Sequence, residues 1–306
     1  MQSTLSKPLR FSGCGLHSGL TTEIIICPAP ADYGIRFIRT DKSAECAVVS
    51  ATWDSVEASP LCTKITNHAG VSISTVEHVL AALAGCGVHN ACIEIDGPEV
   101  PILDGSARPF ALEILRHGLK HLDAHLQVLR ILRDVKYQSG SAWAKLSPYS
   151  EPWITYHIDF DDSAIGIQQK SLTLSNGSFI RELCDSRTFC RNKDVEAMRA
   201  NGFALGGTLE NAVVVDGGTV LSPGGLRHKD EAVRHKMLDA LGDLCLVGAP
   251  IIGLYTGHCA GHSITNSLLR ALFNDKDAYE WVECSDDLYR ILPGVNTSIA
   301  ELPLVA

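Results

Sequence analysis

Two short polar segments, far apart in the sequence, contain the side chains best suited to hold a metal ion. The first is Glu77-His78, near the start of a predicted helix. The second contains His235, Asp239 and Asp243, whose spacing of four residues places them on one face of a second predicted helix. Two imidazoles and a carboxylate from separate helices can bind one metal ion. A neighbouring glutamate such as Glu77 could then act on the water that the metal binds.

Each part of this pattern also has a purely structural interpretation. His235 and Asp239, taken alone, are typical of a solvated helix surface or a structural ion pair. Ser74-x-x-Glu77 fits a capping box, in which the glutamate only closes the start of the helix. Asp243 could belong to a salt-bridged helix face together with the basic residues of its own helix. The residues alone leave these alternatives open.

Two glycine-rich loops are further candidates. Residues 257–263 lead into a helix, where His262 either faces a reaction centre or lies in a turn that Ser263 or Thr265 caps. Residues 15–19, around His17, form either a turn between strands or a substrate loop. The sequence contains no GxSxG elbow, no GxxxxGK[ST] loop and no HExxH helix, which excludes several common enzyme classes.

The charge balance of the chain limits its partners. Its 306 residues carry a formal net charge of -9, with 45% hydrophobic and 20% charged residues. This composition is ordinary for a globular protein. The acidity argues against a nucleic-acid partner held by phosphate contacts, although a local basic pocket for a small phosphorylated ligand remains compatible with it.

Apolar runs and cysteines indicate the cell compartment. The richest apolar run, residues 244–255, is interrupted by Gly248, Pro250 and Gly253, so we expect no membrane span. Residues 1–19 lack a hydrophobic signal core, and we therefore expect no export. The eleven cysteines include no CxxC pair, which favours reduced thiols. Together these features predict a cytoplasmic protein.

Periodicity and turn residues predict an α+β protein, with strands and helices mixed along the chain. Residues 20–60 read mostly as strands. The predicted strands cover 21–27, 34–39, 90–95, 127–137, 142–147, 153–160, 213–215 and 219–221. The predicted helices cover 75–85, a stretch through 110–115, 177–183, 194–201, 229–247 and 263–273. The polar, histidine-bearing segment 117–125 is the candidate boundary between two parts.

The separate motifs become specific when they are read together. They are the stretches 13–19, 74–85, 96–99, 101–106, 187–189, 205–207, 225–227, 233–243 and 261–263. In this order they resemble the UDP-3-O-acyl-N-acetylglucosamine deacetylase family, the zinc enzymes of lipid A synthesis in Gram-negative bacteria. The resemblance spans nearly the whole chain, and several of its blocks are too long to arise by chance.

The resemblance implies two domains of similar layered topology, with helices sandwiched between β-sheets. The N-terminal domain, residues 1–124, would supply Glu77 and His78. The C-terminal domain, residues 125–306, would supply His235, Asp239 and His262, with an insert near 190–210 that forms an acyl-chain passage. The active site would lie between the two domains.

The resemblance also implies the roles of individual residues. One Zn²⁺ per chain would be held by His78, His235 and Asp239, and Fe²⁺ is a further possibility at such a nitrogen and oxygen site. The catalytic residues would be Glu77, Thr188, Lys236, Asp243 and His262. The substrate-binding residues would be His17, Leu61, Cys62, Thr63, Phe189, Asp194, Gly207 and Lys236.

This chain departs from the family pattern at two places. The family usually has a basic residue three positions before the catalytic histidine, where this chain has Cys259. The diphosphate of the substrate would then be held by neighbours such as His258. Cys190-Arg191 replaces small and apolar residues, which predicts an unusual acyl-chain preference.

These expectations combine into one function with two alternatives. We expect a monomeric, zinc-dependent hydrolase that removes the N-acetyl group of UDP-3-O-[(3R)-3-hydroxyacyl]-N-acetylglucosamine and releases acetate. One alternative is a non-catalytic paralogue that binds a nucleotide sugar or an acyl chain. The intact set of candidate catalytic residues argues against it. The other alternative is a deacetylase of a different amidated sugar.

Overall fold

The computed structural model describes residues 1–303, in which strands and helices alternate along the chain. The strands are β1 (Ser3–Leu5), β2 (Leu9–Cys14), β3 (Thr21–Pro28), β4 (Ile35–Arg39), β5 (Val48–Ser50), β6 (Val56–Glu57), β7 (Lys64–Thr66), β8 (Ser72–Ile73), β9 (Ala91–Ile95), β10 (Leu119–His121), β11 (Gln127–Ile131), β12 (Val135–Ser139), β13 (Ala142–Ser147), β14 (Pro152–Asp159), β15 (Ile167–Thr173), β16 (Phe189–Arg191), β17 (Val213–Asp216), β18 (Thr219–Val220), β19 (Ile251–His258) and β20 (Tyr279–Glu283). The α-helices are α1 (Glu77–Gly85), α2 (Arg108–His117), α3 (Asn192–Ala200), α4 (Glu231–Cys245), α5 (His262–Asn274) and α6 (Asp286–Arg290). Short 3₁₀ turns lie at Trp53–Ser55 and Ile299–Glu301, and a turn of π-helix lies at Phe179–Leu183.

The first large sheet is built from the N-terminal part of the chain. Its five strands lie in the order β2-β3-β9-β4-β5, and β4 and β9 are parallel. Alternate residues of β3 and β9 are buried, among them Ile24, Ile26 and Ile93. This period of two gives the sheet one apolar face, against which the helices can pack.

The second large sheet has seven strands, all of which come from the C-terminal part of the chain. Strand β19 is central to it, because it pairs with β13, β14 and β11. Helix α4 packs on β14 and β15, and α5 packs on β12 and β13. A short loop joins the end of β19 to α5. His262, the first residue of α5, therefore lies just beyond the C-terminal end of this central strand.

Helices α1 and α4 pack against each other at the centre of the molecule. Gly242 of α4 lies directly on the backbone of Glu77 in α1, where a Cβ atom would be 2.1 Å from the Glu77 carbonyl oxygen. A single hydrophobic core joins these helices to the inner faces of both large sheets. The α+β class with layered sheets and helices is therefore confirmed.

Most predicted elements are present, but several strands were missed. The predicted strand 127–137 is wrong, because exposed residues 132–134 divide it into β11 and β12. The predicted helix 177–183 is a turn of π-helix. The edge strands β15 and β20, and the central strand β19, were not predicted. The sequence of β15, with Gln168, Gln169 and Lys170 in succession, lacks the apolar alternation that indicates a strand.

The candidate boundary segment is fixed to the start of the chain. Strand β10 pairs with β1, and the backbone N–H of Gln2 donates to the carbonyl of Ala124 at 2.9 Å. The division into domains after residue 124 stays a prediction. Among residues 1–303, no helix is both long and apolar enough to cross a membrane.

Candidate active site

The packing of α1 on α4 brings together the three predicted metal ligands. His78 is the second residue of α1, and His235 and Asp239 lie one turn apart on α4. Oδ1 of Asp239 is 3.2 Å from Nε2 of His235 and 3.5 Å from Nε2 of His78. All three side chains are buried, and their ligand atoms lie within 4.8 Å of one another.

The polar atoms of this cluster fit a metal ion. Among residues 1–303, Oδ1 of Asp239 has no hydrogen-bond partner, although it is buried and faces two imidazole nitrogens. Nδ1 of His235 donates to the Ser186 carbonyl at 3.0 Å, which leaves a lone pair at Nε2. A buried carboxylate oxygen without a donor is costly, and a divalent cation would satisfy it. Two nitrogens and one oxygen are a donor set that catalytic zinc sites use.

Asp239 is held as an anion by its neighbours. Burial alone would raise the pKa of Asp239. The His235 imidazole and the Lys236 ammonium lower this pKa by more than burial raises it, so that it lies well below its usual range. Nζ of Lys236 donates to Oδ2 of Asp239 at 2.8 Å. The carboxylate is therefore charged and oriented before any ligand arrives.

Glu77 points into the site and does not cap its helix. Val76 is the N-cap of α1, without a side-chain cap hydrogen bond, so the capping-box interpretation of Glu77 is wrong. Oε2 of Glu77 accepts from the backbone N–H of Thr63 at 3.0 Å, and Oε1 lies 3.6 Å from Nε2 of His262. Burial raises the pKa of Glu77 in spite of the nearby imidazoles. The carboxylate is thus a stronger base than an exposed glutamate.

His262 is the first residue of α5 and is paired with Asp243. Nδ1 of His262 donates to Oδ2 of Asp243 at 2.9 Å, while Oδ1 of Asp243 accepts from the Thr63 hydroxyl. Burial lowers the pKa of His262, but Asp243 and Glu77 raise it by more, to about 10. Asp243 is itself buried, so its interpretation as part of a surface ion-pair face is wrong.

Two cavities are lined by residues of the predicted site. One, of about 320 Å³, is lined by residues that include the predicted His17, Leu61, Thr188, Phe189 and Gly207. The other, of about 280 Å³, is lined by Cys62, Thr63 and His262 among others. The segment 61–63 therefore contributes to both cavities.

Two of the predicted substrate-binding residues, Asp194 and Lys236, are engaged in ion pairs. Asp194 is paired away from the metal-ligand cluster, whereas Lys236 contacts both this cluster and Phe189. Asp194 accepts from Nε of Arg191 at 2.6 Å at the start of α3, and this ion pair occupies its carboxylate. The Lys236 ammonium lies 5.7 Å from the centre of the Phe189 ring and also contacts Asp239. Lys236 thus connects the ligand cluster with the larger cavity, whereas Asp194 does not join the cluster.

Sequence reasoning assigned no role to two buried glutamates that hold the site together. Glu99 accepts from the backbone N–H groups of His17 and Ser18 at 2.8 and 2.7 Å, and from the Thr75 hydroxyl at 2.8 Å. It therefore fixes the loop 15–19 to the start of α1. The only signal in the sequence is an acidic residue within the turn-rich segment 96–106, which does not reveal its partners.

The second such residue is Glu231, in the first turn of α4. It accepts from Nε of Arg187 at 2.9 Å and from the backbone N–H of Arg227 at 2.7 Å. Burial alone would raise the pKa of Glu231, but the hydrogen bonds from Arg187 and Arg227 outweigh burial, and the pKa is lowered. This buried ion pair positions Thr188 and Phe189 beside α4.

An α+β fold with two histidines and an aspartate beside a buried glutamate and an imidazolium is typical of metal-dependent hydrolases. The sequence profile of the family described as UDP-3-O-acyl N-acetylglycosamine deacetylase matches residues 2–274. Similar proteins include UDP-3-O-acyl-N-acetylglucosamine deacetylases of Shewanella frigidimarina and Shewanella oneidensis. Each is 43% identical over 283 residues, which cover 92% of this chain and 92% of the relative. The chain belongs to the UDP-3-O-acyl-N-acetylglucosamine deacetylase family.

Proposed function

We propose that this chain removes the N-acetyl group of UDP-3-O-[(3R)-3-hydroxyacyl]-N-acetylglucosamine and releases acetate, in the committed step of lipid A biosynthesis. The observation that carries the proposal is the convergence of Glu77, His78, His235, Asp239 and His262 in one buried cluster, in a chain of this family. We also propose a cytoplasmic monomer, and the family supports its action on a small-molecule substrate.

His78, His235 and Asp239 would hold the metal, for which we propose Zn²⁺. A bound Zn²⁺ supplies a Lewis acid that polarises a carbonyl oxygen and makes water more acidic. Fe²⁺ is the alternative that this donor set admits. The Ser186 carbonyl keeps the His235 ring in the tautomer that leaves Nε2 free for the metal.

Glu77 would act as the general base. Its Oε2 is held by the Thr63 backbone, whereas Oε1 faces the centre of the cluster and can receive a proton from water. A carboxylate with a raised pKa is better matched to this task near neutral pH than an ordinary glutamate. Nε2 of His262 lies 3.6 Å from this oxygen, so the two groups face the same reacting centre.

His262 would act as the cationic partner of Glu77. Because Asp243 and Glu77 outweigh burial, the pKa of His262 is about 10 and the ring is an imidazolium at neutral pH. Its Nε2–H can stabilise the developing oxyanion or protonate the leaving amine. The Thr188 hydroxyl, which lines the larger cavity, would donate to the same oxyanion.

The larger cavity would receive the acyl chain. It is lined by apolar residues of the segment 190–210, among them Val195 and Met198, together with Leu61 and Phe189. An apolar passage next to the metal ligands explains how a substrate with a long acyl chain would be selected. We therefore expect the acyl chain to contribute strongly to substrate binding.

An acetate-release assay tests this proposal. Purified protein, with its metal content measured, is given either the UDP-linked acylated sugar or UDP-N-acetylglucosamine, which lacks the acyl chain. We expect acetate from the acylated substrate and much slower release from the other. Acetate from neither, with binding retained, would identify a non-catalytic binding paralogue. Equal or faster release from another amidated sugar would identify a deacetylase with a different substrate.

A further inference from the structure

A second group of potential metal ligands lies at the end of the seven-stranded sheet. His157 of β14, His258 at the end of β19 and Cys259 in the following loop are all half-buried. Their ligand atoms lie within 4.8 Å of one another. None of the three belongs to the cluster of His78, His235 and Asp239, so this group is a separate feature.

The sheet itself brings these residues together. His157 and His258 are direct neighbours in the parallel register of β14 and β19, and their rings are stacked with centres 4.6 Å apart. The backbone N–H of Cys259 donates to the carbonyl of His157 at 2.8 Å, which ties the loop to β14. The loop therefore cannot move away from the two histidines without breaking this bond.

Ring stacking explains the two histidines but does not explain Cys259. Trp143 extends the row of stacked rings, with its centre 5.6 Å from that of His258. Cys259 has a φ of 46°, a left-handed conformation that a side chain with a Cβ atom rarely adopts. Such strained residues are retained mainly where the surrounding structure uses them. Here the strained backbone places a thiol beside two imidazoles.

We propose that His157, His258 and Cys259 form a second metal site that takes a thiophilic divalent cation, Zn²⁺ in particular. Two imidazole nitrogens and one thiolate are a donor set that zinc prefers, and a fourth position is left for water or an anionic ligand. Binding releases the thiol proton of Cys259 to solvent. Because imidazole lone pairs lie in the ring plane, one of the two stacked rings turns about its side-chain bonds when the metal binds.

The position of this site connects it to His262. Cys259 lies three residues before His262, and the loop between them joins β19 to α5. A metal ion at this place would link β14, β19 and the loop, and would restrict the backbone from which His262 projects. The site would therefore stabilise the folded protein in the presence of free zinc.

Cobalt binding distinguishes the two sites, because only the second one contains sulfur. The full-length protein, reduced and metal-free, is titrated with Co²⁺, which replaces Zn²⁺ in such sites. We expect two Co²⁺ per chain and a thiolate-to-cobalt charge-transfer band in the near ultraviolet. In Cys259→Ser and His258→Ala the band should disappear, and one Co²⁺ per chain should remain at the first site. Cys190→Ser, which changes another half-buried cysteine, is the matched control and should keep the band.

The proposal is overturned if the wild type shows no charge-transfer band at two equivalents of Co²⁺, or if the band persists undiminished in Cys259→Ser. Circular dichroism of each variant identifies any loss of the band that is due to unfolding. His157→Gln provides an independent variant, since it keeps the strand and the left-handed loop intact and should also lose the band. These readouts do not depend on deacetylase activity, so the proposed function is tested separately.

Discussion

Glu77 and His262 lie 3.6 Å apart, and the surroundings raise the pKa of both side chains. Burial raises the pKa of Glu77. Burial would lower the pKa of His262, but Asp243 and Glu77 raise it to about 10. Two titratable groups whose environments fix different protonation roles are a common basis of acid–base catalysis. The carboxylate is suited to accept a proton, and the imidazolium to stabilise charge or donate one.

Substitution of either residue should impair catalysis without loss of metal. We predict that Glu77→Gln and His262→Ala each lower kcat by about 10²-fold or more, the usual scale for acid–base groups. The metal content should stay near that of the wild type, because neither side chain is among the three proposed ligands. Steady-state kinetics and metal analysis of the same samples measure both effects, and Glu210→Gln, an exposed glutamate, is the control. Loss of metal, with activity restored by added metal, would place the residue among the ligands.

The pairing of Asp243 with His262 predicts a change in pH dependence. The folded-state pKa of His262 is raised because its imidazolium faces the Asp243 carboxylate, so Asp243→Asn should lower that pKa. The protonated form is then lost at lower pH, and the basic limb of the pH–rate profile should move to lower pH. Thr63→Val removes only the hydroxyl donor to Asp243 and should move the limb less. An unchanged basic limb with full activity in Asp243→Asn would contradict the assignment.

The roles of single residues could be predicted from sequence to different degrees. The spacing of His235 and Asp239 along one helix and the Glu77-His78 pair on another are visible in the sequence, and the family resemblance assigned the two histidines and Asp239 to one metal site. Glu99 and the Ser186 carbonyl were not predicted, because their partners lie far away in the chain and no local pattern identifies them. Supporting contacts of this kind appear only when the elements have been placed in space.

Between elements, the close approach of α1 and α4 determines whether the ligands meet. A Gly→Ala change inside an ordinary helix stabilises it by about 1 kcal/mol. At Gly242 the added Cβ would lie 2.1 Å from the Glu77 carbonyl oxygen, so the helices must separate. We predict that Gly242→Ala destabilises the protein by about 1–3 kcal/mol, the range for overpacked cores. It should also weaken metal binding, because His78 moves relative to His235 and Asp239.

Urea unfolding of the metal-free protein and a metal titration measure these two consequences of Gly242→Ala separately. The sign of the stability change is diagnostic, since helix propensity alone would stabilise the variant. A stabilised Gly242→Ala protein with unchanged metal affinity would show that the two helices can separate without disturbing the site.

The elements themselves were predicted where periodicity is strong. Strand β3 is rich in β-branched residues, the sequence of β4 alternates, and α4 carries motifs long enough to define it. Strand β19 was missed because its segment was interpreted only as an interrupted apolar run, although buried residues recur along it with nearly the period of a strand. Edge strands such as β20 lack a clear pattern, since one side and one face are solvated.

The whole molecule shares one main hydrophobic core. This core includes Ile24 and Ile93 of the first sheet, Leu80 of α1, and Tyr156 and Leu268 of the C-terminal part. Polar bonds also cross between the two parts, as from Nη2 of Arg270 to the Val56 carbonyl at 2.8 Å. The two layered parts are therefore coupled by packing as well as by the shared site.

This continuous core predicts cooperative unfolding. We expect a single calorimetric transition for the whole chain, with a calorimetric enthalpy equal to the van't Hoff enthalpy. Removal of metal by a chelator should lower Tm without splitting the transition, because the ion binds the folded state alone. Two resolved transitions would show instead that residues 1–124 and the remainder unfold as independent domains.

The division of the ligands between α1 and α4 also has a consequence for biosynthesis of the chain. During translation His78 leaves the ribosome long before His235 and Asp239 are made. A nascent N-terminal part can form its sheet, but a single imidazole retains no metal ion firmly. Metal capture therefore waits until α4 has been synthesised and has docked on α1. Only chains in which α4 has been completed and has packed on α1 would then bind the metal ion.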